Sequence, residues 1–265
     1  MYITDEQAAA FQDTSQRTAT LAVDLEMLPP IIYEDAHIVI FNKPAGMLSQ
    51  KDSPDAVSLT ELGRAYLYAK GLPQTPGFQP GVASRLDRNT CGLVTMGKDL
   101  AAQQALSELI RLHGVEKHYH AIVHGIPAWD AWTDLTHVYK KDTKQNLLEL
   151  HTAGPDEKNL VHSKVRILKS DVASNTSLVE ILLITGKSHQ IRAQLAFEGY
   201  PIVGDPKYGI KGDLKTGQLL LARELVFLQK IEPLSYLYDQ HFYADWPEAM
   251  KTLPFGQLWE GQLHS

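Results

Sequence analysis

The 265-residue chain contains one cysteine, no long apolar run and no basic leader at its start. The single cysteine, Cys91, excludes an intramolecular disulfide framework and a cysteine-rich zinc site. No segment approaches the roughly 20 apolar residues that span a bilayer, so we expect no contact with a membrane. Residues 1–10 carry acids but no lysine or arginine, which argues against a secretory signal. We therefore expect a cytoplasmic protein.

Acidic residues outnumber basic ones over the whole chain, but the middle of the chain has a small excess of basic residues. The formal net charge is −6, and residues 1–40 alone hold seven acids against one arginine. Residues 230–265 hold five acids against two lysines, which leaves residues 41–229 with a net charge of +3. This distribution permits a phosphate-binding face in the central stretch. Taken alone, it is better explained by ordinary solvated charge on the surface.

The alternation of short apolar segments predicts an α+β fold. Strands are predicted over 37–42, 92–96, 115–125, 162–168, 178–185 and 219–228. Capping residues and apolar spacing predict helices over 58–71, 99–114 and 188–198. Many strands with so few helices between them favour a mixed, mainly antiparallel central sheet with flanking helices.

No linker or internal repeat divides the chain, so we expect a single catalytic domain over residues 31–265, including a C-terminal tail. Residues 1–30 end in two prolines and are interpreted as an N-terminal extension, too short for an independent domain. The stretches 73–81 and 126–160 are expected to be loops that contribute to specificity.

Two local patterns resemble known sites, and both are incomplete. Residues 185–188 (T-G-K-S) look like the end of a phosphate-binding P-loop, but Ile181 occupies the position of its first glycine. His118 and His120 share one face of a predicted strand with Glu116, as metal ligands would. Chance pairs are common in a chain with 11 histidines, and a catalytic zinc site also needs an open position. We therefore predict neither a nucleotide triphosphatase nor a metal site.

The remaining candidate for chemistry is the loop 85–92, R-L-D-R-N-T-C-G, which places Asp87 between two arginines. Neighbouring guanidinium groups favour the ionised carboxylate, which suits a nucleophilic or electrostatic role at an anomeric carbon. Taken alone, this spacing is explained more readily by a salt bridge in a surface loop.

This loop is one of several motifs that occur in a fixed order. The segments are 40–46 (I-F-N-K-P-A-G), 84–93 (S-R-L-D-R-N-T-C-G-L), 117–125 (K-H-Y-H-A-I-V-H-G), 185–192 (T-G-K-S-H-Q-I-R) and 199–209 (G-Y-P-I-V-G-D-P-K-Y-G). Their order and spacing resemble the RluA-type pseudouridine synthase family. Its corresponding motifs are N-K-P-x-G, H-R-L-D-x-x-T-S-G-L, K-x-Y-x-A-x-V-x-G, T-G-R-x-H-Q-I-R and G-x-P-I-x-G-D-x-x-Y-G. Each segment is suggestive, and the ordered set is highly specific.

The resemblance implies the pseudouridine synthase fold and an enzyme that isomerises uridine in structured RNA without a metal or cofactor. It implies that Asp87 is the catalytic aspartate and that Arg192 holds this carboxylate in its ionised form. It also implies that Arg85 helps to displace the target nucleotide, that Tyr119 stacks on the target base and that Ile191 packs beneath it.

The sequence departs from the family pattern at three positions. Ser84 replaces the histidine before Arg-Leu-Asp, Cys91 replaces the serine of Thr-Ser-Gly, and Lys187 replaces the more common arginine. Loss of the imidazole at Ser84 is expected to alter how the loop or the displaced nucleotide is held. Lys187 gives up the bidentate phosphate contact that arginine makes.

The resemblance, which covers about residues 31–228, leaves the RNA open, and ribosomal and transfer RNA are both candidates. Many relatives carry an S4-type RNA-binding domain, which the acidic residues 1–30 are not expected to form. Specificity would then come from the catalytic domain, which we expect to act as a monomer.

Two other functions stay open on sequence grounds. One is a catalytically inactive RNA-binding relative of the same fold, which is disfavoured because Asp87, Tyr119 and Arg192 are all retained. The other is an N-glycoside hydrolase that uses Asp87, which is disfavoured because such enzymes usually need two carboxylates. Asp205 lies in Gly-Asp-Pro and is interpreted as a turn residue.

Overall fold

A computed structural model describes residues 24–53, 55–73, 75–142, 147–154, 157–213 and 217–251. The expected N-terminal extension before residue 24 and the expected tail from residue 252 lie outside these ranges.

One ten-stranded sheet organises the described part of the chain. Its strands are β1 (Ile31–Glu34), β2 (Ile38–Lys43), β3 (Cys91–Gly97), β4 (Val115–His124), β5 (Thr133–Asp142), β6 (Leu147–Thr152), β7 (Leu160–Asp171), β8 (Thr176–Leu183), β9 (Leu220–Phe227) and β10 (His241–Tyr243). The spatial order is β1-β2-β3-β9-β4-β8-β7-β5-β6, with β10 beside β9. Only β3 and β9 pair in parallel among these strands. The predicted mixed, mainly antiparallel sheet is confirmed.

The three predicted helices and a short fourth, which the sequence analysis did not predict, accompany this sheet. They are α1 (Leu59–Ala69), α2 (Leu100–Arg111), α3 (Gln190–Phe197) and the short α4 (Glu248–Lys251). Asp99 caps α2 by accepting a hydrogen bond from the amide of Ala102 at 2.8 Å. Ser58 precedes α1, but its hydroxyl bonds to the Glu61 carboxylate and makes no cap to the backbone. None of the helices in the described ranges has both the length and the apolar character needed to cross a membrane.

The stretch 126–160 is not the loop expected from sequence, because it contains the antiparallel hairpin β5–β6. The first half of β5 has the period-two pattern of a strand: Asp134 and Thr136 are exposed, whereas Leu135 and His137 are buried. Beyond His137 no residue of β5 is buried, so the apolar alternation that identifies a strand fades. This hairpin therefore extends the sheet far beyond the part that sequence predicted.

The two faces of the sheet bury separate hydrophobic clusters. In β2, Ile38 and Ile40 contribute to one cluster, whereas Val39 and Phe41 contribute to the other. Successive residues of a strand point to opposite faces, so the two clusters lie on opposite sides. Helix α2 packs into the first, while α1 and α3 pack into the second. Tyr119 belongs to the second cluster, and so does Ile191 at the start of α3.

The parallel contact between β3 and β9 joins two strands that are far apart along the chain in the centre of the sheet. Cys91 is in register with Leu221, and Gly92 with Ala222. Gly92 has a φ of +113°, and a Cβ atom there would lie 2.2 Å from the carbonyl oxygen of Ala222. Only glycine permits this backbone approach. The loop that carries Asp87 is thereby anchored at the middle of the sheet.

We expect Gly92→Ala to lower the free energy of unfolding by about 2–5 kcal/mol. The positive φ contributes roughly 1–2 kcal/mol of this and the clash with Ala222 roughly 1–3 kcal/mol. Gly71→Ala is a matched control, because Gly71 has a φ of +89° and a Cβ atom there would meet nothing within 4 Å. Urea unfolding followed by circular dichroism measures both values. Equal losses in the two variants would show that the contact between β3 and β9 does not require glycine.

Candidate active site

The loop 84–90 is held by hydrogen bonds to the turn that follows β2. The Ser49 hydroxyl donates to the carbonyl of Leu86 at 2.9 Å and accepts from the amide of the same residue at 3.0 Å. The amide of Gly46 donates to the Arg88 carbonyl at 2.9 Å. Within the loop, the Thr90 amide donates to the carbonyl of Asp87 at 3.1 Å. These bonds fix the backbone on both sides of Asp87.

Lys43 supports the same loop from below. Its side chain is fully buried and donates to the carbonyl oxygens of Pro44, Met47 and Arg88 at 3.0, 2.8 and 3.1 Å. Burial lowers the pKa of Lys43 from 10.5 to about 8, against the opposing effect of the negative charge on Asp87. Three carbonyl acceptors satisfy the three donors of the ammonium group, so the buried cation ties the loop to the end of β2.

Arg192 connects this loop to α3. Its Nη1 donates to Oδ2 of Asp87 at 2.9 Å. Its Nε and Nη2 donate to the two oxygens of Asp205 at 2.7 and 2.8 Å, which is the bidentate geometry that arginine favours. The side chains of Arg192 and Asp205 are 5% and 0% exposed, whereas that of Asp87 is 24% exposed. One buried cation thus joins a buried carboxylate to one that faces the solvent.

The charges of this cluster are stabilised mutually. Burial opposes ionisation of Arg192, but hydrogen bonds to Asp205 and Asp87 outweigh it and raise the pKa of the guanidinium above its usual value. Burial likewise opposes ionisation of Asp205, and the hydrogen bonds from Arg192 outweigh it and hold the pKa of Asp205 below its usual range. Sequence reasoning interpreted Asp205 as a turn residue, and its Oδ1 does accept the amides of Lys207 and Tyr208. Its role as the partner of Arg192 was missed.

Tyr119 and Ile191 form an apolar wall beside Asp87. Tyr119 is 8% exposed and Ile191 is 6% exposed, and both line the same cleft as Asp87. Burial and the nearby charge of Asp87 raise the pKa of Tyr119 above its usual value, so the phenol stays neutral. Rigid elements, β4 and α3, hold these two side chains.

His189 is a further residue of the site, in addition to the five candidates named from the sequence. It precedes α3 with a left-handed backbone (φ +62°), which is uncommon for a residue with a side chain. Its Nε2 lies 3.9 Å from Oδ2 of Asp87, and its Nδ1 lies 3.3 Å from the hydroxyl of Tyr208. Burial lowers the pKa of His189, although the charge of Asp87 opposes this shift. The His-Gln-Ile-Arg motif was the available signal.

The cleft around Asp87 has a volume of about 750 Å³ and is basic. Six lysine or arginine side chains line it against two aspartates; they are Lys51, Arg85, Lys117, Lys141, Lys187 and Arg192, with Asp52 and Asp87. The chain as a whole has a net charge of −6. The lining of the cleft therefore has an excess of positive charge, which suits a polyanion, although the chain as a whole is acidic.

The structure brings all five candidate site residues to this cleft, namely Arg85, Asp87, Tyr119, Ile191 and Arg192. Arg85 is exposed, and no carboxylate of the described chain lies within ion-pair distance of it. Ser84, at one of the departures from the family pattern, also lines the cleft.

The histidine pair of β4 lies on the opposite face of the sheet from Tyr119. His118 bonds to the carboxylates of Glu180 and Glu116 at 3.0 and 3.3 Å, and His120 packs against Trp246 with ring centroids 4.9 Å apart. In the residues that the structure describes, no group of three or more His, Cys, Asp or Glu side chains is placed to hold a metal.

Comparison with known proteins identifies the family to which this chain belongs. A family model described as RNA pseudouridylate synthase matches residues 37–197, more than half of the chain. The chain belongs to this family. It is accordingly an isomerase that acts on RNA, as the resemblance implied.

Curated relatives agree with the RluA-type assignment. A Zymomonas mobilis protein named ribosomal large subunit pseudouridine synthase D is 27% identical over 233 residues, which cover 84% of this chain and 71% of that protein. A Bacillus subtilis protein named uncharacterized RNA pseudouridine synthase YlyB is 32% identical over 226 residues, with the same two shares. The predicted family membership is confirmed.

The fold of the pseudouridine synthase also has solved counterparts. A structure described as human RNA pseudouridylate synthase domain containing 4 superposes with a TM-score of 0.63 at 22% identity, covering 91% of this chain and 94% of that one. This likeness shows that the two chains share the same fold.

We expect Asp205→Asn to lower the free energy of unfolding by about 3 kcal/mol at neutral pH, because buried Arg192 loses its one fully buried counter-charge. The folded-state pKa of Asp205 is depressed, so its contribution is present above its unfolded pKa near 3.8 and is lost as the pH falls through the folded value. The difference between variant and wild type should therefore shrink below about pH 4.

Urea unfolding between pH 3 and pH 7 measures this difference. Asp130→Asn is the control, since Asp130 is exposed and a surface change of this kind alters stability by less than about 0.5 kcal/mol. A difference for Asp205→Asn that stays constant across the range would contradict the proposed ionic contact.

Proposed function

We propose that Asp87 is the catalytic carboxylate of a uridine-to-pseudouridine isomerase that needs no cofactor. The main support for this proposal is the hydrogen bond from buried Arg192 to Asp87 at the wall of a basic cleft. The reaction breaks the N1–C1′ bond, turns the base and joins C1′ to C5, while N1 gains a proton and C5 loses one. Atoms and electrons balance within the uridine, so the chemistry calls for no co-reactant.

The wall beside Asp87 suits a displaced base. Taking a base out of its stack costs a few kcal/mol, and stacking on an aromatic side chain returns roughly 1–3 kcal/mol. In the proposal, Tyr119 provides this stacking surface and Ile191 packs beneath the base. Because both side chains belong to regular elements, they hold the base in one orientation relative to Asp87.

Arg85 is assigned to displacement of the target nucleotide. It is exposed at the cleft, two residues before Asp87. A guanidinium fills the space that a displaced base vacates and pairs with a phosphate at the same time. An arginine without a carboxylate partner in the described chain is available for that task.

The substrate in this proposal is structured RNA, with ribosomal RNA as the first candidate and transfer RNA as the second. The Zymomonas mobilis relative is named for the large ribosomal subunit. The basic cleft supports recognition of a phosphate backbone in either RNA.

The hydrolase alternative requires a second carboxylate that activates water. Asp205 lies on the far side of Arg192 with its side chain fully buried, so water does not reach it from the cleft. Asp52 lines the cleft but is exposed in the turn after β2. The geometry thus favours rearrangement of the uridine over release of its base.

One assay separates the candidate functions. Purified protein is incubated with ribosomal or transfer RNA that carries labelled uridine, and the nucleosides are then separated by chromatography. Pseudouridine supports the proposal, free uracil supports the hydrolase, and bound but unchanged RNA supports an inactive relative.

We expect Asp87→Asn to abolish pseudouridine formation while RNA binding is largely retained. The amide keeps the size of the side chain but removes the negative charge that the reaction uses. Turnover is measured by the nucleoside assay and binding by filter retention of the same RNA. Near-normal turnover in this variant would refute the assignment of Asp87.

Tyr119→Leu is expected to lower kcat/KM by about 5-fold to 150-fold, which corresponds to the roughly 1–3 kcal/mol of one stacked base. Tyr243→Leu is the control, because Tyr243 is exposed on β10 and does not line the cleft. Wild-type rates in Tyr119→Leu would show that this ring does not support the base.

A further inference from the structure

A second cavity of about 240 Å³ opens beside the main cleft, between the β5–β6 hairpin and the segment that leads into α3. We call it the side pocket. It is lined by Tyr139, Lys141, Leu147, Leu148, Lys187, Ser188 and His189. Four of these residues also line the main cleft, so the two cavities are adjacent.

Two lysines from different elements converge on the side pocket. Lys141 comes from the end of β5, and Lys187 comes from the turn before α3. Both are exposed, and neither has a carboxylate within ion-pair distance among the residues that the structure describes. Like charges at one cavity repel each other, and an anion between them relieves this repulsion. The rim of the side pocket is therefore suited to a phosphate.

The remaining lining is aromatic and apolar. The Lys187 ammonium lies 5.3 Å from the ring centroid of Tyr139, so cation and ring face the same space. Leu148 is buried, Leu147 is half-buried, and the Leu148 amide donates to the Tyr208 hydroxyl at 2.7 Å. A ring beside a cationic rim is the combination that binds single-stranded nucleic acid, whose bases stack while its phosphates pair with lysines.

The side pocket lies one side chain away from the proposed catalytic carboxylate. His189 lines both cavities, and its Nε2 lies 3.9 Å from Oδ2 of Asp87. Its ring also contacts Tyr208 edge-on, with centroids 5.8 Å apart. A nucleotide held in the side pocket would therefore lie in space beside the one at Asp87.

We propose that the side pocket binds a nucleotide next to the target uridine, with its phosphate between Lys141 and Lys187 and its base against Tyr139. This inference rests on the proposed function, because it takes the uridine at Asp87 as its reference point. It gives a specific form to the expectation that residues 126–160 contribute to specificity, now through the β5–β6 hairpin.

The test uses fluorescein-labelled oligouridylate of twelve nucleotides as the probe. Fluorescence anisotropy gives its affinity for wild type, Lys141→Gln, Lys187→Gln and the double variant over a range of salt concentrations. Lys140→Gln is the matched control. Lys140 is exposed, precedes Lys141 on β5 and lies opposite Glu149 of β6, but it does not line the side pocket. Circular dichroism checks that every variant is folded.

Each pocket variant is expected to reduce the slope of log affinity against log salt by about 0.7–1, the value for loss of one phosphate contact. Tyr139→Leu should weaken binding about 5-fold or more with the salt slope unchanged, since it removes stacking and leaves the charges in place. Lys140→Gln should change neither quantity to this extent.

Unchanged slopes in both lysine variants, or a loss equal to that of Lys140→Gln, would overturn the proposal. Absence of probe binding to wild type at 50 mM salt would overturn it too. The nucleoside assay runs in parallel on wild type. Pseudouridine together with unchanged slopes rejects the side pocket alone, whereas reduced slopes without pseudouridine support the pocket and reject the proposed function.

Discussion

The geometry of the site depends on one buried guanidinium. Arg192 binds Asp205 through two hydrogen bonds and Asp87 through a third, so a single cation meets carboxylates from two distant segments. A buried charge is stable only when it is paired and hydrogen-bonded. Displacing either carboxylate leaves part of the cation unpaired, and this constraint keeps Asp87 at the cleft wall.

The same interaction gives two aspartates different environments. Asp205 is fully enclosed, whereas the side chain of Asp87 is 24% exposed at a cleft lined mainly by cations. Similar carboxylates placed in different surroundings perform different tasks, and here one anchors while the other is accessible to a ligand. The local field also explains how an acidic protein presents a face suited to RNA, since long-range charge is screened within about 10 Å.

Sequence predicted the elements whose signals are local. Three of the four α-helices and six of the ten strands in the described residues follow from turn and capping residues and from apolar periodicity. The contact of Asp87 with Arg192 was predicted only from the family resemblance, because sequence periodicity does not relate residues that are so far apart. Asp205 is an example of what the sequence does not predict. Its turn involves residues two and three positions away, but its ion pair with Arg192 depends on tertiary structure. The β5–β6 hairpin was missed because β5 has only two buried residues.

The parallel contact of Cys91 with Leu221 has a consequence for how the chain folds. Bringing such distant positions together costs loop-closure entropy before any contact compensates for it, and folding slows as such non-local contacts dominate. On the other side of β9 lies β4, which is also distant from it along the chain, so this central seam depends on non-local contacts on both sides. Asp87 and Arg192 meet only across the closed seam. The contact between Asp87 and Arg192 is therefore a product of the complete sheet and of no single local segment.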